Sequence, residues 1–170
     1  MTTEPLAPGC SLPPFTLHLA DGGTLTGDEL RGRPCVLFFY PKDDTPGCTT
    51  EAKDFSALLP RFHAAGIRVV GVSKDDPARH RRFTARHGLA VPLASDAAVD
   101  GLSDTLGIWG EKRMYGRVYQ GMARTTLLLD AAARIARVWH KVKVPGHAAE
   151  VLEAALRMTA SDGRNGYGAG

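Results

Sequence analysis

Phe15, Leu17 and Leu19 alternate with Thr16 and His18, break at Asp21-Gly22-Gly23, and resume around Leu25. Alternation closed by a glycine turn predicts an antiparallel hairpin at the edge of something larger. Pro34 to Tyr40 and Ile67 to Ser73 are instead nearly continuous β-branched and aromatic runs, as strands covered on both faces require. Between them Ala52, Phe55, Leu59 and Phe62 recur at spacings of three and four. This predicts a helix packed on a sheet, with Pro60 expected to kink or split it. A second helix is predicted from Asp75-Asp76-Pro77 through Arg86, closed by Gly88. A short strand at Val91 to Ala94 follows, then a helix from Val99 to Leu106. Strands at Thr125 to Leu129 and Ile135 to Trp139 are joined by a turn at Asp130 to Ala133. A last helix runs from about Ala148 to Met158. This alternation predicts a three-layer α/β fold with a mixed, partly parallel sheet and an antiparallel flank. One domain is expected over residues 1–160, its body running from about Leu6 to Met158, with a flexible glycine-rich tail at 161–170.

Composition narrows the class. The chain has 170 residues, 44% hydrophobic and 23% charged, the balance of a soluble globular protein. Its 21 basic and 18 acidic residues leave +3, too little to argue for nucleic acid or an anionic membrane. The longest apolar run, Cys35 to Tyr40, falls far short of the roughly 20 residues that span a bilayer. Glu4, Pro5 and Pro8 interrupt the N-terminus, which has no signal-peptide pattern, so a cytoplasmic protein with reduced thiols is expected. The cysteines number 3, too few for a disulfide framework, which leaves their purpose open.

The chemistry concentrates where the first buried strand hands over to a helix, at Pro41-Lys-Asp-Asp-Thr45-Pro-Gly-Cys48. α/β sheets place their sites at such crossings. Thr45 suits the N-cap and Pro46 the first turn, which puts Cys48 at the third helical position. A thiolate there meets unpaired backbone N–H groups and the positive end of the helix dipole, which favour the nucleophilic anion. The Thr45 hydroxyl can instead reach over the sulfur, and Pro41 can wall off one side. Arg124, taken alone, is a strand-edge arginine. An isolated cysteine is more often an inert core residue; this pattern directly after an apolar strand reverses that.

The motif Pro-x-x-x-Thr-x-x-Cys resembles the peroxiredoxin active site. The stretches from Tyr40 to Ala52, Trp109 to Gly116, Arg124 to Asp130 and Lys141 to His147 are similar to the peroxiredoxin Q, or bacterioferritin comigratory protein, branch. The likeness runs from about Pro13 to Leu156. It implies a thioredoxin-like fold and cofactor-free reduction of hydrogen peroxide or organic hydroperoxides. By that likeness Cys48 is the peroxidatic thiolate that becomes a sulfenic acid, releasing water or an alcohol. Thr45 would bond the sulfur and the peroxide, and Pro41 would shield the pocket. Arg124 would stabilise the thiolate and the leaving oxygen. Backbone N–H groups of Gly47 and Cys48 could hold a peroxide oxygen. The branch leans toward a monomer.

The pattern departs from the branch at the resolving step. Many members carry a second cysteine five residues after the first, where this chain has Lys53, and others carry it in the following helix, where Asp75 to His87 has none. Cys35 opens a buried strand and reads as core. Cys10, in a proline- and glycine-flanked segment, is the better candidate for a resolving thiol. The expected default is a one-cysteine cycle in which an external thiol, thioredoxin or glutathione with glutaredoxin, attacks oxidised Cys48. The rival reading on the same fold is a peroxide sensor or binding module that passes oxidation to a partner. A cysteine hydrolase or transferase would need a histidine base, and none lies near Cys48 in sequence.

Other signals are weaker. Arg79, Arg82 and Arg86 share a helix face with His80 and His87 nearby and read as a solvated stripe. No His-x-x-x-His or Cys-x-x-Cys occurs, so no dedicated metal site is expected. Gly107, Gly110 and Gly116 are too loosely spaced for a phosphate loop, and Trp109, Tyr115 and Trp139 read as packing residues.

Overall fold

The computed structural model describes residues 6–169, with side chains as far as Ser161. In chain order the strands are β1 (Thr16–Leu19), β2 (Thr24–Thr26), β3 (Cys35–Phe39), β4 (Arg68–Ser73), β5 (Leu93–Ser95), β6 (Trp109–Met114), β7 (Arg117–Met122), β8 (Thr125–Leu129) and β9 (Ile135–Trp139). The α-helices are α1 (Pro46–Ala64), α2 (Pro77–His87), α3 (Leu102–Thr105) and α4 (His147–Ala169). Seven strands form one sheet in the order β2-β1-β5-β4-β3-β8-β9, while β6 and β7 stand apart as their own antiparallel ribbon.

β3, β4 and β5 run parallel at the centre, and β8 and β9 add an antiparallel flank. The β1–β2 hairpin closes the other edge, as its alternation predicts. β3 is buried along its whole length because both faces of the sheet are covered. Val36 and Phe38 pack with Ala52, Phe55, Leu59 and Phe62 of α1 and with Val151 and Leu152 of α4. Cys35, Leu37 and Phe39 point the other way, against Leu17, Leu25, Leu102, Leu106 and Ile108. The architecture is the mixed sheet with flanking helices that the thioredoxin-like expectation requires.

Several local expectations need correction. α1 runs through Pro60 unbroken. Pro60 lies on the exposed face, where the carbonyl deprived of its amide partner can meet water, while Leu59 and Phe62 hold the turn to the sheet. α3 begins at Leu102 rather than Val99 because the buried Asp96 carboxylate accepts from Leu102 N at 3.1 Å and Ser103 N at 2.7 Å, so the first turn forms there. The β6–β7 ribbon was not anticipated. Its signal was the two-residue turn Tyr115-Gly116, at φ 52° and 77°, between runs of equal length. Tyr115 is fully open to water rather than packed. α4 continues as backbone to Ala169, past the end near Met158 that the sequence predicts. Side chains beyond Ser161, and Gly170 altogether, lie outside the described residues.

Candidate active site

Parallel β3 delivers its chain to the carboxyl end of the sheet, and α1 starts seven residues later. Thr45 is the extended N-cap and Pro46 the first helical residue, so Cys48 occupies the third position, buried at 1% exposure. Thr45 does not cap through its side chain. Its hydroxyl donates to the Lys42 carbonyl at 2.8 Å, while its carbonyl accepts from Thr49 N at 2.8 Å and Thr49 Oγ1 at 2.7 Å. The N–H groups of the first turn therefore have no side-chain cap from Thr45.

Arg124 arrives from a different element. β8 pairs antiparallel with β3 so that Thr125 lies beside Phe39, which sets the preceding residue against the start of α1. Arg124 Nη2 lies 3.4 Å from Cys48 Sγ, and Nη1 donates to Glu51 Oε1 at 2.6 Å. Gly47 makes room for this fork, since a Cβ there would stand 3.2 Å from Arg124 Nη2. Burial alone would loosen the arginine's proton. The Cys48 and Glu51 charges outweigh it and hold the guanidinium pKa above its ordinary value.

Two groups in this site escaped the sequence reading. Glu51 is buried, and burial pushes its pKa up to about 7 against the pull of Arg124. Its spacing of one turn from Cys48 was the available signal. Lys112, on β6, donates to the Met122 carbonyl, two residues before Arg124. Burial and then Arg124 lower its pKa while the Cys48 charge opposes them, so a second cation stands within electrostatic reach of the sulfur.

A buried network steadies the loop between β3 and α1. Tyr40 Oη donates to Asp43 Oδ1 at 2.6 Å, and His80 Nδ1 meets Asp43 Oδ2 at 2.7 Å. His80 Nε2 donates to the Ala94 carbonyl at 3.0 Å, and Asp43 N donates to Asp75 Oδ2 at 2.9 Å. Burial and the Asp43 carboxylate hold the Tyr40 hydroxyl well above its ordinary pKa, so it remains a donor. Asp44, at φ 65°, binds Arg86 at 2.8 Å and His87 at 2.7 Å. The basic face of α2 is thus partly committed to this loop, and His80 is wholly buried rather than solvated.

The other two cysteines lie elsewhere. Cys35 pairs across β8 with Leu129, which pairs across β9 with Ile135, and Ile135 N donates to the Cys10 carbonyl at 2.8 Å. Cys10 and Cys35 therefore share the end of the sheet opposite Cys48. Cys35 is core, as expected, and burial pushes its pKa up to about 12 against Arg68 and Arg33. Among the described residues no cluster of His, Cys, Asp and Glu could hold a metal, and no helix is long and apolar enough to cross a membrane.

The chain is similar to known proteins over most of its length. The model of the AhpC/TSA family matches residues 8–138. Peroxiredoxin Bcp of Xanthomonas campestris is 45% identical over 138 residues, 81% of this chain and 86% of that one. Peroxiredoxin Bcp of Bacillus subtilis is 36% identical, covering 89% of this chain and 96% of its own. The structure of the Xanthomonas campestris bacterioferritin comigratory protein, which addresses that protein's alkyl peroxide reduction, superposes with a TM-score of 0.80 at 42% identity over 85% of this chain and 92% of that one. PrxQ of Xylella fastidiosa superposes at 0.83, with 37% identity over 91% and 98% of the two chains. With its thiol, arginine and sheet in this arrangement, the chain belongs to the AhpC/TSA family, in the Bcp/PrxQ branch of the peroxiredoxins.

Proposed function

We propose that this thiol peroxidase works through Cys48 and is reduced by an external thiol. The observation that carries the assignment is Arg124 Nη2 at 3.4 Å from Cys48 Sγ, at the start of α1. The thiolate attacks one peroxide oxygen; an S–O bond forms as the O–O bond breaks, and sulfur is oxidised by two electrons. The departing oxygen takes up a proton and leaves as water or an alcohol. Arg124 stabilises the thiolate and the charge that grows on the leaving oxygen. Thr45 has spent its proton on Lys42, so its oxygen is suited to accept from the O–H of the incoming peroxide. Pro41, two residues after the end of β3, would shield the sulfur from water. Cys48–SOH is then attacked by a thiol, which forms a disulfide and expels water, and a second thiol restores Cys48.

Thioredoxin and glutathione with glutaredoxin are the candidate reductants, because Cys10 and Cys35 lie at the far end of the sheet. The test is multiple turnover of hydrogen peroxide with a supplied thiol. Wild type consumes many equivalents and Cys48→Ser none, while Cys10→Ser and Cys35→Ser remain active. Activity retained in Cys48→Ser overturns the assignment, and a reaction that stops after one equivalent in wild type favours a sensor.

A further inference from the structure

Five large hydrophobic side chains stand exposed among the described residues, and four of them lie on the β6–β7 ribbon: Met114, Tyr115, Val118 and Tyr119. Directly opposed residues of an antiparallel pair share a face. Lys112 opposes Tyr119 and Met114 opposes Arg117, so one face presents two cations, two large apolar groups and no acid. The other face pairs Glu111 with Gln120 and Arg113 with Val118. The first face adjoins the active centre through Lys112. Its Lys112 reaches the Met122 carbonyl beside Arg124 and senses the Cys48 charge. The base of the ribbon is stitched to the fold at the same place, where Ala123 N donates to the Ile108 carbonyl at 2.8 Å.

On the first face Met114 and Tyr119 stand exposed beside the two cations, a combination that marks a partner surface. A second copy of this chain would set Lys112 and Arg117 against their own kind, with a net charge of +3 on each molecule. A flat two-stranded ribbon encloses no small ligand. Oxidised Cys48 must meet a thiol from outside, and this face borders its approach. We propose that the Lys112–Met114–Arg117–Tyr119 face docks the protein dithiol that reduces Cys48. That partner carries its reactive cysteine in an apolar surface bordered by carboxylates. The proposal rests on the peroxidase reading above. The docked thiolate attacks the sulfenic sulfur, forming an S–S bond as hydroxide leaves and takes a proton to become water. The partner's second thiol then displaces the Cys48 thiolate and closes its own disulfide.

The experiment follows hydrogen peroxide turnover by the full chain with a bacterial thioredoxin kept reduced by its reductase, and in parallel with dithiothreitol. Arg117→Glu and Tyr119→Ser are expected to lower kcat/KM for thioredoxin about tenfold, with Arg117→Lys close to wild type. Salt is expected to shrink the Arg117→Glu effect. Turnover with dithiothreitol stays as in wild type, which shows the variants folded. Thioredoxin kinetics unmoved by both substitutions overturn the docking face while leaving the peroxidase intact. Wild-type turnover with dithiothreitol but not with thioredoxin overturns it as well. So does a concentration-dependent dimer lost in Tyr119→Ser, which would put a second copy on the ribbon. A companion assay replaces hydrogen peroxide by a fatty-acid hydroperoxide with dithiothreitol as reductant; a loss confined to that substrate would make the face a substrate surface and also overturn it. Failure of wild type to turn over peroxide with either thiol strikes instead at the peroxidase reading.

Discussion

Arg124 Nη1 donates to Glu51 Oε1 at 2.6 Å, while the other oxygen of this buried carboxyl meets no hydrogen-bond partner among the described residues. Glu51 thus fixes the plane of a guanidinium whose second nitrogen faces Cys48, and it does so at a cost in desolvation.

That cost gives Glu51 a pH signature. Its pKa rises from an ordinary 4.5 to about 7 on folding, chiefly by burial, so the folded state holds the proton more tightly than the unfolded chain. The contribution is complete below about pH 4.5 and is lost as pH climbs to about 7. Glu51→Gln should flatten the change in stability across this window. Urea midpoints at about pH 5 and about pH 8 measure it. An unchanged slope in the variant would assign the window to another group.

Arg124→Lys keeps a positive charge but loses the planar fork that turns one nitrogen to Glu51 and the other to Cys48. The expected result is a loss of roughly 100- to 1,000-fold in the rate of Cys48 oxidation by peroxide, with little change in unfolding. Stopped-flow kinetics of a single oxidation isolate the step from the reductant. A rate within about threefold of wild type would demote the fork to a structural contact.

The loop network predicts a different pattern. His80→Ala leaves Asp43 buried with Tyr40 as its remaining side-chain partner, and losing one hydrogen-bond partner of a buried polar group costs about 1–3 kcal/mol. Thermal unfolding should show this directly. Peroxide oxidation should slow as well, because Asp43 lies between Tyr40 and Thr45 on the segment that sets the start of α1.

The parts legible in sequence share a physical cause. β3 and β4 could be read because strands covered on both faces must be apolar at every position, and Cys48 because Thr45 and Pro46 state where its helix begins. The β6–β7 ribbon could not, since Lys112, Arg113, Arg117 and Gln120 face water or a site edge and no core imposes a period on them. Glu51 hid for a related reason. A glutamate in the first turns of a helix is ordinarily solvated, and only Arg124, 73 residues away, gives it a role. His80 likewise sat within a basic run whose other members are exposed or half-exposed, and its burial depends on Asp43 and Ala94 from distant segments.

Cys35 provides a test of the division among the three thiols. With its pKa pushed up to about 12 and its side chain in the core, it should resist iodoacetamide at neutral pH in the native protein and react once denatured. Mass spectrometry of tryptic peptides reads the labelling. Treatment with one equivalent of peroxide should add oxygen at Cys48 and leave the Cys35 peptide unchanged. A Cys35–Cys48 disulfide would require the sheet to open and would end the one-cysteine reading.

Gly47 separates the stability of α1 from its chemistry. Alanine at this helical position should be neutral or stabilising by up to about 1 kcal/mol, because glycine is the poorer helix former. Its Cβ, however, would stand 3.2 Å from Arg124 Nη2, closer than the two groups rest comfortably. An arginine tip usually swings aside at little cost. Here Glu51 holds one nitrogen at 2.6 Å and Cys48 meets the other at 3.4 Å, so any retreat lengthens the contact with sulfur. Gly47→Ala should therefore slow peroxide oxidation of Cys48 about tenfold while its urea midpoint holds or rises. Combining it with Glu51→Gln should give less than the product of the two losses, since a guanidinium already released has less to lose. Full activity in Gly47→Ala would mean that the fork yields freely, and that its exact seating against Cys48 does not set the rate.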